Sequence, residues 1–177
     1  MKYGELLSLS EQQLVDCVNG TSCQTGGFYD LGWATVKEQG GIENEDSYPY
    51  VAKRYECRFD DSKAVAKVTN FTMSEMDGSE ENLVRRLNDY PQAVAIDASP
   101  LHHYGGGILH NTPDQPCNTF MPNHAVFVVG YDSDGEKDYY IVKNSWGESW
   151  GNQGYFLIAR NEGNTCGVAN YPGHAEA

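Results

Sequence analysis

The stretch that most constrains this chain is Asn123-His124-Ala125-Val126-Phe127-Val128-Val129-Gly130-Tyr131, followed after a polar turn by Tyr139-Tyr140-Ile141-Val142-Lys143-Asn144-Ser145-Trp146-Gly147. Both runs are rich in Val, Ile and Tyr, and the residues between them, Asp132 to Lys137, have turn chemistry. Two antiparallel strands joined by a hairpin are predicted. In such a pair the start of one strand lies beside the end of the next, so His124 and Asn144 can face each other across the ladder. An imidazole would then sit beside an amide able to orient it. A lone histidine in this setting is more often a core residue satisfied by a neighbour, so the pair needs support from the rest of the chain.

Upstream, Ser10-Glu11-Gln12-Gln13 reads as a capping box, with Leu9 and Leu14 at the staple positions, and predicts a short helix to about Val18. A loop from Asn19 to Gly27 holds Cys23 and ends in Gly26-Gly27. Paired glycines there fit either a tight turn or the close approach of another backbone. Phe28 to Gln39 has helical periodicity and stops at Gly40-Gly41, so a second, largely buried helix is expected. Ala64 to Phe71 reads as a strand, Ser79 as the cap of a helix bearing Leu83, Val84 and Leu87, and Ala93 to Ala98 as a strand. Leu101 to Pro122 is expected to be mostly loop, and a further strand is expected over Tyr155 to Arg160. Helices first and strands afterwards indicate an α+β protein with a helical lobe and an antiparallel β lobe.

The 177 residues can form one compact domain or two small lobes. A formal net charge of -13 leaves no basic footprint, which excludes a nucleic-acid partner and disfavours anionic membrane surfaces. No apolar run approaches the roughly 18 to 20 residues of a membrane span. Nor does the amino terminus carry a basic start and greasy core, so no signal peptide is expected in the chain as it stands. The five cysteines, 17, 23, 57, 117 and 166, are odd in number and have no paired zinc-site spacing. His102, His103, His110 and His174 show no ligand pattern and are expected in loops or the tail. No metal and no cofactor are therefore expected. The sequons Asn19-Gly20-Thr21 and Asn70-Phe71-Thr72 lean, with the cysteines, towards an oxidising secretory route.

Several separate stretches share one likeness: Ser8 to Cys17, Gly40-Gly41-Ile42, Glu45 to Tyr50, Asn123-His124-Ala125-Val126, Val142 to Gly151, and Gly154-Tyr155. In this order they resemble the papain family of cysteine peptidases, closest to its cathepsin L branch, from about Leu7 to Pro172. The resemblance implies a two-lobed papain-like fold, with a helical lobe over 1–62 and a β-rich, barrel-like lobe over 63–177. It implies peptide-bond hydrolysis by a thiolate paired with an imidazolium, in a lysosomal or extracellular setting, on peptide or protein substrates and subject to protein inhibitors.

Carried over residue by residue, His124 would be the general base that becomes the general acid. Asn144 would hold its ring, and Trp146 would cover their hydrogen bond. Gly26, Gly27, Phe28, Ala95, Asn123 and Ala125 would contact substrate, although Gln24-Thr25 makes the glycine loop one residue longer than the family's. Cys17 would pair with Cys57 and Cys117 with Cys166, leaving Cys23 unpaired, since its family partner lies just ahead of the nucleophile.

The family's nucleophile lies in a Cys-Gly-Ser-Cys-Trp type segment roughly 130 to 150 residues before its histidine. Counting back from His124 passes Met1. The nucleophile, the helix it begins and the upstream Gln of the oxyanion hole are therefore expected to be absent, leaving the helical lobe incomplete. Met1-Lys2-Tyr3-Gly4-Glu5 resembles a point inside the family's usual run, which favours truncation. Cys23 as a substitute nucleophile would have to lie beside His124, whereas its matching position is on a cleft loop. Two functions follow: a truncated cysteine endopeptidase, inactive alone, or a non-catalytic pseudo-peptidase that binds peptides or inhibitors.

Overall fold

The computed structural model describes residues 6–114 and 116–177, so the expectation attached to Met1–Glu5 lies outside the described residues. The chain divides into two compact units, one of Met1–Thr72 with Ala175–Ala177 and one of Met73–His174. Residues 63–72, expected with the strands, cluster with the helices. Val65 N–H donates to the Ile42 carbonyl at 2.9 Å, and Ile42 N–H donates to the Ala66 carbonyl at 2.9 Å. The expected strand at Ala64 is thus a single bridge, and regular pairing starts only at β1, Asn70–Met73.

The first unit contains α1 (Glu11–Cys17) and α2 (Tyr29–Gln39). Ser10 caps α1 by accepting from the Gln13 N–H at 2.9 Å, but the reciprocal half of the capping box is not made. Gln13 turns inward instead, donating to the Gly41 carbonyl at 3.1 Å and accepting from Glu43 N–H at 2.8 Å. Gln12, Gln13 and Asp16 are all buried, so the inner face of α1 is polar. Asp16 is its hub, accepting from Gln12 Nε2 (2.8 Å), Tyr55 N–H (2.7 Å) and the Tyr48 hydroxyl (2.8 Å). Burial pushes the Asp16 carboxyl up, but these donors and the nearby Arg58 charge outweigh it and hold the carboxyl below its usual value. Burial and the Asp16 carboxylate together raise the Tyr48 phenol.

Helix α2 ends at Gly40 in the left-handed conformation, φ 89°, as the glycine pair predicts. It is less buried than its periodicity suggests. Gly32 and Val36 are covered and Trp33 packs on Tyr29 and Phe71, yet Phe28 and Leu31 stay 46% and 43% exposed.

The second unit contains α3 (Glu80–Leu87), capped by the Ser79 hydroxyl accepting from Asn82 N–H at 3.1 Å. Its strands are β2 (Gln92–Ile96), β3 (Ile108–Leu109), β4 (His124–Ser133), β5 (Asp138–Lys143) and β6 (Tyr155–Ala159), while β7 (Gly173–Glu176) leads back to the first unit. The sheet order is β1-β7-β2-β4-β5-β6-β3, antiparallel in its named pairs except where β3 runs parallel to β6. Alternation decides the core. Val94, Ile96, Val126, Val128, Tyr140, Val142, Phe156 and Ile158 point to one face with Leu83 of α3. The loop expected over 101–122 begins inside a 3-10 turn, Ser99–His103, and contains β3, and the expected tail contains β7, which carries His174.

Candidate active site

The β4–β5 ladder starts at Phe127↔Lys143, so continuing the register by one residue sets Asn144 opposite Val126. His124 lies two residues back on the same face, a diagonal neighbour within reach of a side-chain amide. Its own backbone pairs with Ile96 on β2, which fixes the end of β4 from the other side. The result is a hydrogen bond of 2.8 Å between His124 Nε2 and Asn144 Oδ1.

That oxygen also accepts from the Ser145 N–H at 2.8 Å, and a backbone N–H can only donate. Asn144 therefore presents its carbonyl to the ring, and His124 Nε2 must carry the proton. In the neutral ring Nδ1 is then the free base nitrogen. Asn144 is buried, and its Nδ2 has no hydrogen-bond partner among the described residues.

Trp146 stands 5.2 Å from the His124 ring, tilted by 36°, and stacks on His102 at 5.3 Å. Trp150 meets Trp146 edge-on at 5.1 Å and Phe156 at 5.8 Å, tying the indole to the sheet core. The turn between the tryptophans and β6 needs glycine: Gly151 has φ 58°, and a Cβ there would lie 2.5 Å from the Tyr155 carbonyl oxygen.

A carboxylate that sequence reasoning missed secures the approach to His124. Asp97, buried at the end of β2, accepts from Ser99 N–H (3.0 Å), Ser99 Oγ (2.6 Å), Asn118 N–H (2.8 Å) and Asn123 Nδ2 (2.9 Å). Asn123 in turn accepts from Ala98 N–H at 2.9 Å. Burial raises the Asp97 carboxyl, but the donors prevail and lower it. The contact spans 26 residues, and no local pattern announces it.

Of the other expected site residues, Ala95 and Ala125 are cross-strand partners on β2 and β4, the first buried and the second exposed. Gly26, Gly27 and Phe28 are in the first unit. Gly26 exchanges both backbone groups with Ser22, at 2.8 and 3.3 Å, closing a turn whose tip is Cys23-Gln24-Thr25. Gly27 has no space for a side chain, since a Cβ would lie 2.6 Å from Thr21 Cγ2. Disulfides join Cys17 to Cys57 and Cys117 to Cys166, while Cys23 is free and exposed. Among the described residues no group of three or more His, Cys, Asp or Glu is placed to hold a metal ion, and no helix is long and apolar enough to cross a membrane.

Comparison with known proteins extends this local picture to the whole chain. Residues 1–175 match the family described as "Papain family cysteine protease". Digestive cysteine proteinase 3 of Homarus americanus is 41% identical over 179 residues, covering 98% of this chain and 54% of that protein. Cathepsin K of Mus musculus is 41% identical over 172 residues, covering 96% and 51%. Digestive procathepsin L2 proteinase from the larval midgut of Tenebrio molitor superposes with a TM-score of 0.90 at 38% identity, covering 98% of this chain and 55% of that one. The chain thus spans about half the length of the curated relatives it matches. The fold is papain-like, α+β and two-lobed. By sequence and by fold, this chain belongs to the papain family of cysteine proteases.

Proposed function

We propose that these residues are part of a cysteine-type endopeptidase, contributing to its helical and β-rich lobes, with the nucleophile coming from a segment outside them. The observation that carries this reading is the His124–Asn144 hydrogen bond beside Trp146. In the resting ion pair His124 Nδ1 already holds the thiol proton; the thiolate sulfur bonds to the peptide carbonyl carbon, and as the C–N bond breaks Nδ1 delivers that proton to the departing amine. Water, deprotonated by the same nitrogen, cleaves the thioester. Asn144 keeps the ring in one tautomer throughout without adding charge, and Trp146 excludes water from their bond.

Asn123 offers its backbone carbonyl to an extended peptide, and Ala95 and Ala125 present small apolar side chains to it; within the first unit, Phe28 presents an apolar ring and Gly27 its backbone to substrate. Gly26 contributes by setting the turn. Thiol–imidazole chemistry requires no cofactor. The cathepsin and digestive-proteinase relatives support a lysosomal or extracellular setting, with protein inhibitors as further partners.

Alone, the 177 residues are expected to show no turnover of a fluorogenic dipeptide, since losing the nucleophile from such a unit costs on the order of a millionfold. Turnover abolished both by His124→Ala and by blocking Cys23 would overturn this. A longer product of the same coding sequence that contains a Cys-Gly-Ser-Cys-Trp-like segment is expected to cleave the substrate, and His124→Ala to abolish it. A longer product without such a nucleophile would instead establish the alternative, a pseudo-peptidase that binds peptides or inhibitors.

A further inference from the structure

An Asn-x-Thr pattern accepts an N-linked oligosaccharide only where the asparagine amide can reach the transferase and the sugar can then project into solvent. The turn after α1 meets both conditions. Asn19 is exposed directly beyond the C-cap Val18, and Gly20, at φ 77°, has nothing within 4 Å of where a Cβ would stand. The turn is fastened from its inner side. Arg54 donates to the Val18 carbonyl at 3.0 Å and to the Thr21 carbonyl, and Thr21 Oγ1 donates to the Val18 carbonyl at 3.1 Å. These bonds grip the residues on either side of Asn19, and none of them uses its amide.

The disulfides add the order of events. Cys17, two residues before Asn19, pairs with a cysteine 40 residues later, so the bond cannot close until Cys57 has followed it into an oxidising compartment. Until then the Asn19 segment is open chain.

We propose that Asn19 is an N-glycosylation site whose oligosaccharide projects from the turn after α1. The donor is a lipid-pyrophosphate-linked oligosaccharide. The Asn19 Nδ2–C1 bond forms as the C1–O bond to pyrophosphate breaks, the amide proton passes to the transferase, and the lipid pyrophosphate leaves. The inference rests on the secretory setting proposed above. It is made for Asn19, which stands in an open turn; Asn70 of the second sequon is also exposed but begins a paired strand.

The chain, expressed behind a secretory leader in eukaryotic cells, is digested without reduction and treated with peptide-N-glycosidase in heavy-oxygen water. The Cys17–Cys57-linked peptide is expected to lose an oligosaccharide mass and to gain the heavy-oxygen label at position 19. Asn19→Gln is expected to abolish both signals. An unmodified Asn19, or a glycan found only in molecules whose Cys17 and Cys57 are unlinked, would overturn the proposal. Peptide mapping needs no folded variant and no turnover, so a failure of the peptidase reading leaves this outcome readable. The added leader likewise separates it from any failure of the secretory assignment.

Discussion

The two units are built on opposite principles. In the second, strands alternate apolar residues into one core, with Tyr140, Phe156, Ile158 and Leu83 among its largest fully buried side chains. In the first, α1 buries Gln12, Gln13 and Asp16, and these side chains, together with buried Glu43, bond to backbone groups between Gly41 and Asp60. An apolar core tolerates small shifts because its forces are non-directional, whereas a buried polar web is stable only while every member is paired. Stability in the first unit therefore depends on hydrogen-bond geometry, and in the second on volume.

The sharpest way to break this contrast is to remove volume from the second unit. Phe156→Ala is expected to cost about 3–5 kcal/mol and to weaken amide-exchange protection across β5 and β6. Protection in α1 unchanged beside that loss would support separate cores, while equal loss in both would refute them.

Next in size is Asp16→Ala, which strands the Tyr48 hydroxyl and the Tyr55 N–H at roughly 1–3 kcal/mol each. Amide exchange is expected to accelerate in α1 and in residues 48–58 while β4 and β5 keep their protection. Asp16→Asn, which keeps acceptor capacity, should cost less, and an equal loss would mean that shape alone matters there.

Acid gives the smallest and most graded effect. Asp16 and Asp97 both have carboxyls held below the ordinary 3.8 in the folded chain. The stability they contribute is complete above that value and is lost as pH falls through their lowered folded values. Exchange measured between pH 5 and pH 2.5 is expected to show protection falling below about pH 4 in α1 and in the residues around Asp97. Loss beginning above pH 5 would contradict the lowered carboxyls.

What the sequence revealed follows the same division. His124 and Asn144 were legible because each sits at the end of a strongly patterned strand, and antiparallel pairing does the rest. The starts of α1 and α3 were legible from Ser10 and Ser79, since a cap acts within three residues. Gln13 was misplaced because its partners lie about 30 residues away, and a local capping rule has no means of seeing them. Asp97 was missed for the same reason. Strand β7 was missed because Gly-His-Ala-Glu has little strand preference of its own, and its pairing with Ala93 arises only in the assembled sheet. The 43% exposure of Leu31 shows a different limit: an amphipathic pattern states which face is apolar but not how deeply each residue on it is buried.

Between Val128 and Gly130 the pairing of β4 with β5 slips, through a bulge that places one extra residue on β4. Counted from the histidine end, the ladder is in strict step up to that point and is re-phased beyond it, towards the Asp134-Gly135 hairpin tip. The hairpin thus has a fixed end and an adjustable one. Lengthening the tip changes where the ribbon finishes without changing where it begins, so insertions between Asp134 and Lys137 make this a place to graft a tag or recognition loop while His124 keeps its partner.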